Sequence, residues 1–315
     1  MNDDRRIEPA LAAIVVIPDT YNAVRKTMSY LQAQTAAKQM EIVFVVSSLE
    51  QCRPDETDLG CFHSWQVVET GPINSIARGF AAGIRQAHAA VVALTEDHSF
   101  PEANWAQTLI DAHRQPWAAV GPSIRNGNPD TMLSWADFYA SYSDWAPPIS
   151  SGTMRHLPGH NSSYKRDILL AYGEKLGNLM QAESVLHRYF TAQGYQLWLE
   201  SNTYTSHSNF NVWTPWINAQ YHAGRQFAAT WAQPWSWPRR LMFTIGSPGI
   251  PWLRLWRIQK HIRQAQTADF FIRLLPLLMA GLMMNGLGQM VGYVAGVGNS
   301  IEKITEHERH RFKST

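Results

Sequence analysis

The sequence contains little cysteine and has little net charge. Only two of its 315 residues are cysteine, too few for a disulfide framework, which favours a reducing compartment. Lysine and arginine outnumber aspartate and glutamate by only 27 to 25, so no nucleic-acid partner is expected. The first residues also lack the long apolar stretch of a signal peptide. We therefore expect the N-terminal part of the chain to stay in the cytoplasm.

Several short motifs that mark common enzyme sites are absent as well. The chain has neither a Gly-x-Gly-x-x-Gly dinucleotide loop nor a P-loop, so bound phosphates would need another partner, such as a metal ion. A Gly-x-Ser-x-Gly nucleophile elbow is also absent, which argues against a serine hydrolase.

The first 125 residues alternate short apolar runs with amphipathic stretches, as βαβ units do. Buried strands are predicted at Leu11–Ile17, Glu41–Val46 and Ala89–Leu94, with a helix at Ile73–Ala87 before the last of them. The predicted fold class is α/β, with a doubly wound, mainly parallel sheet flanked by helices.

Polar clusters directly follow three of the predicted strands. They are Asp19-Thr20-Tyr21-Asn22, Ser47-Ser48 and Glu96-Asp97-His98. Ligands of such sheets bind at the carboxyl ends of the strands. The third cluster could hold a divalent cation that bridges a diphosphate, or it could be an ordinary acidic turn with His98 at the surface.

Taken in order, these motifs resemble those of the inverting family 2 glycosyltransferases, which have the GT-A fold. Five matches lie within about residues 10–210. The first two are Ile17-Pro18 followed by Tyr21-Asn22, and Glu96-Asp97-His98 followed by Pro101 and Trp105. The other three are Gly159-His160-Asn161, Glu183 eleven residues before Gly194-Tyr195, and His207 at the end of a strand.

The resemblance implies a metal-dependent transferase that moves a sugar from a nucleotide-diphosphate donor to an acceptor hydroxyl with inversion. It implies that Glu183 is the catalytic base and that His160 and Asn161 contact the acceptor or the sugar. The implied ligands of Mn²⁺ or Mg²⁺ are Glu96, Asp97, His98 and His207. The implied donor-binding residues are Pro18, Asp19, Tyr21, Ser47, Arg78, Glu96 and Asp97.

Each of these roles has a plain structural alternative. The alternatives are a solvated Glu183 paired with Arg188 or Lys175, a hydrogen-bonded strand-end His207, a tight turn at His160-Asn161, a solvated face around Arg78, and an ordinary loop at Pro18, Asp19 and Tyr21.

The sequence departs from the family pattern at several positions. His98 replaces the usual third acid of the metal motif, which favours manganese over magnesium. Ser47-Ser48 stands where an acid near the nucleoside is usual, and Glu183 has no acidic neighbour. No Gln-x-x-Arg-Trp segment of processive members occurs, so we expect a single transfer.

The C-terminal part indicates membrane attachment. Six basic residues and no acidic residue occur from Arg239 to Arg263, which suits an anionic membrane surface. Phe270–Gly298 is mostly apolar, and either a membrane-inserted segment or a hairpin packed on the protein would explain it. The predicted organisation is a catalytic domain at 1–210, a Trp-rich basic interfacial segment at 211–265, an apolar membrane-associated segment at 266–300 and a polar tail at 301–315.

This organisation implies a location and leaves competing functions open. We expect the chain on the cytoplasmic face of the membrane, with a glycan or lipid-linked acceptor of the cell envelope. A non-catalytic, membrane-bound module that binds a nucleotide sugar or carbohydrate is the main competitor. A metal-dependent nucleotidyltransferase is another, but it offers no role for Glu183.

Overall fold

The computed structural model describes residues 8–50, 52–159 and 161–309. Its strands are β1 (Leu11–Ile17), β2 (Met40–Val46), β3 (Ser64–Glu69), β4 (Val91–Thr95), β5 (Ser99–Pro101), β6 (Ala119–Asn126), β7 (Gly152–Met154), β8 (Ser163–Lys165) and β9 (Leu197–His207). Its helices are α1 (Tyr21–Gln32), α2 (Ile76–Gln86), α3 (Trp105–Ala112), α4 (Met132–Tyr142), α5 (Arg166–Leu170), α6 (Leu176–Leu179), α7 (Glu183–Ala192), α8 (Trp213–Trp231), α9 (Trp237–Gly246), α10 (Ile250–Ala265), α11 (Ala268–Ala295) and α12 (Ser300–Arg309).

The strands of the described residues form one sheet. Its order is β3-β2-β1-β4-β8-β6-β9-β5, with β7 paired to β9. Strands β3, β2, β1 and β4 run parallel, whereas β8 is antiparallel to both β4 and β6. The predicted α/β fold with a mainly parallel sheet is confirmed.

The parallel half of the sheet is buried because helices cover both faces. All seven residues of β1 and all seven of β2 are buried, as expected of strands covered on both sides. Helix α2 lies very close to the sheet at Gly83, where a Cβ atom would stand 2.4 Å from Cγ2 of Ile14. Only glycine allows this approach.

The strand order places the polar clusters at one edge of the sheet. From β1 the chain passes to β2 on one side and later to β4 on the other, which creates a topological switch point. In register, Ile17 pairs with Val46 and Val15 with Thr95, so β1, β2 and β4 end near one level. The clusters that begin at Asp19, Ser47 and Glu96 therefore follow neighbouring strand ends.

The described residues divide into two compact units. Unit 1 comprises residues 8–122, 151–177 and 190–205, and unit 2 comprises residues 123–150, 178–189 and 206–309. Unit 1 holds most of the sheet with α1, α2 and α3, and unit 2 holds α4 and the helices from α8 to α12.

Within unit 2, α11 packs along α8 with backbone close to backbone. A Cβ atom at Gly288 would stand 1.9 Å from the carbonyl oxygen of Tyr221, and one at Gly224 would stand 2.1 Å from that of Asn285. Helix α11 covers most of the apolar segment found in the sequence, and its length and composition suffice for association with a membrane.

Candidate metal centre

The Glu96-Asp97-His98 motif forms the loop between β4 and β5 in unit 1. Thr27 of α1 pins this loop, because its hydroxyl donates to the carbonyl oxygen of Asp97 at 2.8 Å. Oε2 of Glu96 accepts a hydrogen bond from the Ser99 hydroxyl at 3.0 Å and lies 3.5 Å from Nδ2 of Asn161. The Glu96 carboxylate is thus held in one place.

His98 lies between two carboxylates. Its Nδ1 is 2.5 Å from Oδ1 of Asp97, and its Nε2 is 3.5 Å from Oε2 of Glu96. An ionised carboxylate can only accept, so Nδ1 carries a proton, and Nε2 faces Glu96 either with a second proton or with a lone pair. Two acceptor atoms so close repel each other unless a proton or a cation stands between them. The His98 side chain is only 13% exposed, which excludes the surface position considered above.

Asn161 reaches Glu96 because of its backbone conformation. Its φ is 78°, in the left-handed region that asparagine tolerates better than most residues. Its backbone N–H donates to the carbonyl oxygen of Leu94 in β4 at 2.7 Å, and the residue is buried. The Gly159-His160-Asn161 segment therefore supplies at least one side chain to the motif, while His160 lies outside the described residues.

His207, the last residue of β9, is held by Asn209 in unit 2. Nδ1 of His207 is 2.9 Å from Oδ1 of Asn209, whose Nδ2 donates to Oδ1 of Asn126 and to the backbone oxygen of His207 at 3.0 Å each. These two acceptors fix the amide group, so the atom that faces His207 is its oxygen. His207 therefore carries a proton on Nδ1, and in the neutral form of the ring Nε2 has the lone pair.

The backbone beside His207 is held just as firmly. The N–H of Gly127 donates to the His207 carbonyl oxygen at 2.7 Å, and a Cβ atom on Gly127 would stand 3.0 Å from the His207 carbonyl carbon. Asn128 accepts from the backbone N–H of Asn209 at 2.7 Å. Asn126, Asn128 and Asn209 were not among the predicted site residues, although an Asn-x-Asn pair and a His-x-Asn step at strand ends could have indicated them.

Glu96 and His98, after β4, and His207, at the end of β9, each offer one side-chain atom of the kind that binds metal ions. One carboxylate and two imidazoles make a mixed oxygen and nitrogen donor set, which suits Mn²⁺ or another transition ion better than Mg²⁺ or Ca²⁺. The residues present therefore fit a divalent cation, and Asp97 contacts His98 beside this group.

The residues expected to bind the donor lie on unit 1. Pro18 is half-buried and Asp19 exposed after β1, Ser47 is half-buried after β2, and Arg78 is exposed on α2. Tyr21 is buried, and its hydroxyl donates to Oδ2 of Asp58 at 3.0 Å. Burial, and then this hydrogen bond, raise the pKa of Tyr21 above its ordinary value.

Glu183, the expected catalytic base, is the first residue of α7 in unit 2 and is half-buried. The helix predicted around it is confirmed. The Gly194 turn that follows has a φ of 85° and ends the helix before β9, as the spacing predicted.

The comparisons with known proteins bear on the fold. No family model matches the chain, and no curated protein matches it either. Among solved structures, the chain is similar to the mannosyltransferase PcManGT from Pyrobaculum calidifontis in complex with GDP-Man and Mn²⁺, with 14% identity, a TM-score of 0.52, and coverage of 90% of this chain and 87% of that one. The chain is also similar to the structure of residues 1–349 of S. aureus TarS, with 12% identity, a TM-score of 0.48, and coverage of 96% of this chain and 93% of that one. The chain has a GT-A-like fold.

Proposed function

We propose that this protein is a metal-dependent glycosyltransferase that moves one sugar from a nucleotide-diphosphate donor to an acceptor hydroxyl, with inversion at the anomeric carbon. One observation carries the proposal. Glu96 and His98 offer metal-ligand atoms directly after a central strand of a GT-A-like sheet. This is the edge at which open α/β sheets bind their ligands.

The donor set supports Mn²⁺ as the preferred cation. Glu96, His98 and His207 would hold it, and a cation bound there would neutralise charge on the diphosphate leaving group. Asp97 and Asn209 would orient the two histidines, since each accepts the Nδ1 proton of one ring. The PcManGT structure contains GDP-Man and Mn²⁺, which agrees with Mn²⁺ as the proposed cation and a nucleotide sugar as the proposed donor.

The remaining roles follow from position. Glu183 would remove the proton of the acceptor hydroxyl as general base. Pro18, Asp19 and Ser47 would contact the nucleoside, because they follow neighbouring strand ends. The ring of Tyr21 would contribute packing, since its hydroxyl is engaged by Asp58.

Three further residues complete the proposed site. Arg78 would reach the donor phosphates with its exposed side chain. Asn161, which contacts Glu96, and the neighbouring His160 would lie near the sugar or the acceptor.

The acceptor and the location belong to the same proposal. The apolar helix α11 and the basic segment before it favour attachment to a membrane. We place the protein on the cytoplasmic face of that membrane, with a lipid-linked or cell-envelope glycan as the acceptor.

A transfer assay tests the proposal. The purified chain is incubated with a panel of GDP- and UDP-sugars and with lipid and glycan acceptors, and the released nucleoside diphosphate is measured. We expect release from one donor with Mn²⁺, loss of release in EDTA, recovery when Mn²⁺ is restored, and an inverted linkage in the product. Donor binding without transfer or hydrolysis would instead indicate the non-catalytic module.

A further inference from the structure

The C-terminal helices of unit 2 expose a concentration of large apolar side chains. Of the seventeen such side chains that are exposed among the described residues, eleven lie between Trp237 and Val294. Helix α9 has no buried residue, and Trp237, Leu241 and Ile245 recur on it at intervals of four. The Ile245 side chain is 72% exposed. Apolar surface at this density marks an interaction site.

Helix α10 combines aromatic residues with cations on one face. Trp252, Trp256 and Lys260 follow one another at intervals of four, and the Lys260 Nζ lies 4.0 Å from the centre of the Trp256 ring. Leu253 and Arg257 form a neighbouring row. Tryptophan rings and long cationic side chains of this kind settle in the headgroup layer of a bilayer, with the apolar stem inward and the charge outward.

The charge of this region is of one sign. No aspartate or glutamate occurs from Ser201 to Ala268. The exposed cations between Trp237 and Ala265 are Arg239, Arg257, Lys260 and Arg263. Arg254 does not belong to them, because it is half-buried and donates to Oδ1 of Asn285 and to the carbonyl oxygen of Ala140.

We propose that residues 237–265 form a lipid-docking face that lies in the interfacial layer of one leaflet of an anionic phospholipid bilayer. Trp237, Ile245, Trp252 and Trp256 enter the boundary between headgroups and acyl chains, and the four exposed cations meet lipid phosphates. A second copy of the chain fits less well, because a two-fold contact would bring this cationic surface against itself.

Helix α11 stays packed within unit 2 in this arrangement. Its glycines seat it against the backbone of α8, and Asn285 is buried and donates to the carbonyl oxygen of Gln220. Placing α11 across the bilayer would break these contacts or draw polar residues of α8, such as Arg225, into the hydrocarbon. Only its exposed stripe, with Met283 and Leu287, reaches lipid.

The lipid-docking face deepens the membrane attachment proposed above and is tested with no sugar donor present. Flotation with phosphatidylcholine vesicles is compared with flotation on vesicles that also contain phosphatidylglycerol. We expect binding to the anionic vesicles, little binding to the neutral ones, and release by high salt or alkaline carbonate. Each cation near an anionic surface changes partitioning roughly fivefold. Arg257→Glu with Lys260→Glu should therefore weaken binding at least about 25-fold.

Two further variants sharpen this test. Trp252→Glu with Trp256→Glu should abolish flotation on both kinds of vesicle. Lys38→Glu with Arg53→Glu makes the same charge change on exposed residues of unit 1 and should leave binding unchanged. Circular dichroism confirms that each variant is folded.

Several outcomes would overturn the proposal. Equal binding of all variants, or retention in the membrane after carbonate extraction, would mean that the attachment lies elsewhere or that α11 crosses the bilayer. Absence of vesicle binding, together with a dimer that the tryptophan variants dissociate, would assign the face to a second copy. Because no step involves the donor, failure of glycosyl transfer and failure of lipid docking remain distinguishable.

Discussion

Asp97 and Asn209 act on two different histidines in the same way. Each offers an oxygen to the Nδ1 proton of a ring, at 2.5 Å for His98 and 2.9 Å for His207. A hydrogen bond at Nδ1 directs Nε2 to the opposite side of the ring and limits rotation of the ring. Removing a hydrogen-bond partner of a metal-binding histidine usually lowers metal affinity about 10- to 100-fold.

Asp97 can be tested by comparing two substitutions. If it orients His98 through an accepted hydrogen bond, Asp97→Ala should weaken Mn²⁺ binding about 10- to 100-fold, while Asp97→Asn should recover most of the affinity, because its amide oxygen still accepts. Titration followed by electron paramagnetic resonance of free Mn²⁺ measures both. Asp111→Ala, at an exposed residue of α3, is the control. An equally large loss in Asp97→Asn would make Asp97 a metal ligand instead.

Glu183 is tested through turnover. A general base contributes typically about 100- to 10,000-fold, so Glu183→Gln should lower kcat by such a factor and leave donor affinity nearly unchanged. Glu174→Gln, at an exposed turn residue, should behave like the wild type. Lost donor binding with kcat retained would remove Glu183 from the role of base.

The sequence indicated only part of the arrangement around the candidate site. Glu96, Asp97 and His98 stood out because polar residues follow a buried strand, and the structure places them at the predicted strand end. Asn209 did not stand out, because its importance comes from contacts with Asn126, eighty-three residues away. Contacts of that range depend on sheet topology rather than on local spacing.

At the level of elements, the pairing of α8 with α11 depends on glycine. Gly288→Ala would force a Cβ atom into the carbonyl oxygen of Tyr221, and overpacking of this kind costs about 1–3 kcal/mol or more. Gly246→Ala meets nothing within 4 Å and replaces glycine in a helix, so it should stabilise α9 by about 0.5–1 kcal/mol. Urea unfolding followed by circular dichroism measures both changes. Equal stability of the two variants would contradict the close packing of these helices.

His113 makes stability depend on pH where α3 meets the sheet. It is buried, its Nε2 lies 2.9 Å from the Ser163 hydroxyl, and burial lowers its pKa to about 4. The folded protein therefore keeps His113 neutral where the unfolded chain, with an ordinary pKa near 6.5, takes up a proton. This contribution is fully present above about pH 6.5 and is lost as the pH falls towards about 4, with about 2 kcal/mol gone at pH 5.

Urea unfolding at pH 7.5 and pH 5 measures this effect. His113→Gln should reduce the loss of stability between these two values by about 2 kcal/mol, because glutamine does not titrate. His63→Gln, at an exposed residue before β3, is the control and should retain the wild-type pH dependence. If His113→Gln and the wild type lose equal stability on acidification, His113 does not stay neutral in the folded protein.

The strands were easier to predict than the helices of unit 2. Buried runs such as Leu11–Ile17 are apolar throughout, and the structure keeps their bounds. Helix α4 was not predicted, since its buried face includes Asp137. That carboxylate accepts from the Phe210 N–H, the Trp216 indole N–H and the Gln220 amide. A buried polar residue whose hydrogen-bond partners lie far away in sequence interrupts the spacing of apolar residues by which a helix is predicted.

For the molecule as a whole, the chain divides into units that are not consecutive in sequence. Residues 123–150 and 178–189 belong with the C-terminal helices, although they precede β9. Changes in composition along the sequence cannot reveal a segment that leaves one unit and returns. Among the described residues, no strand follows His207, the last residue of β9.

We propose that a divalent cation bound by Glu96, His98 and His207 recruits a nucleotide-diphosphate donor. This proposal is tested by titration calorimetry of the purified protein with nucleoside diphosphates and nucleotide sugars, with and without Mn²⁺. His98→Ala and the control His63→Ala are measured alongside. We predict Mn²⁺-dependent binding of one nucleotide that His63→Ala retains and His98→Ala loses. Nucleotide binding that is independent of Mn²⁺ and unchanged in His98→Ala, or no nucleotide binding by the folded protein, would contradict a metal-dependent donor site.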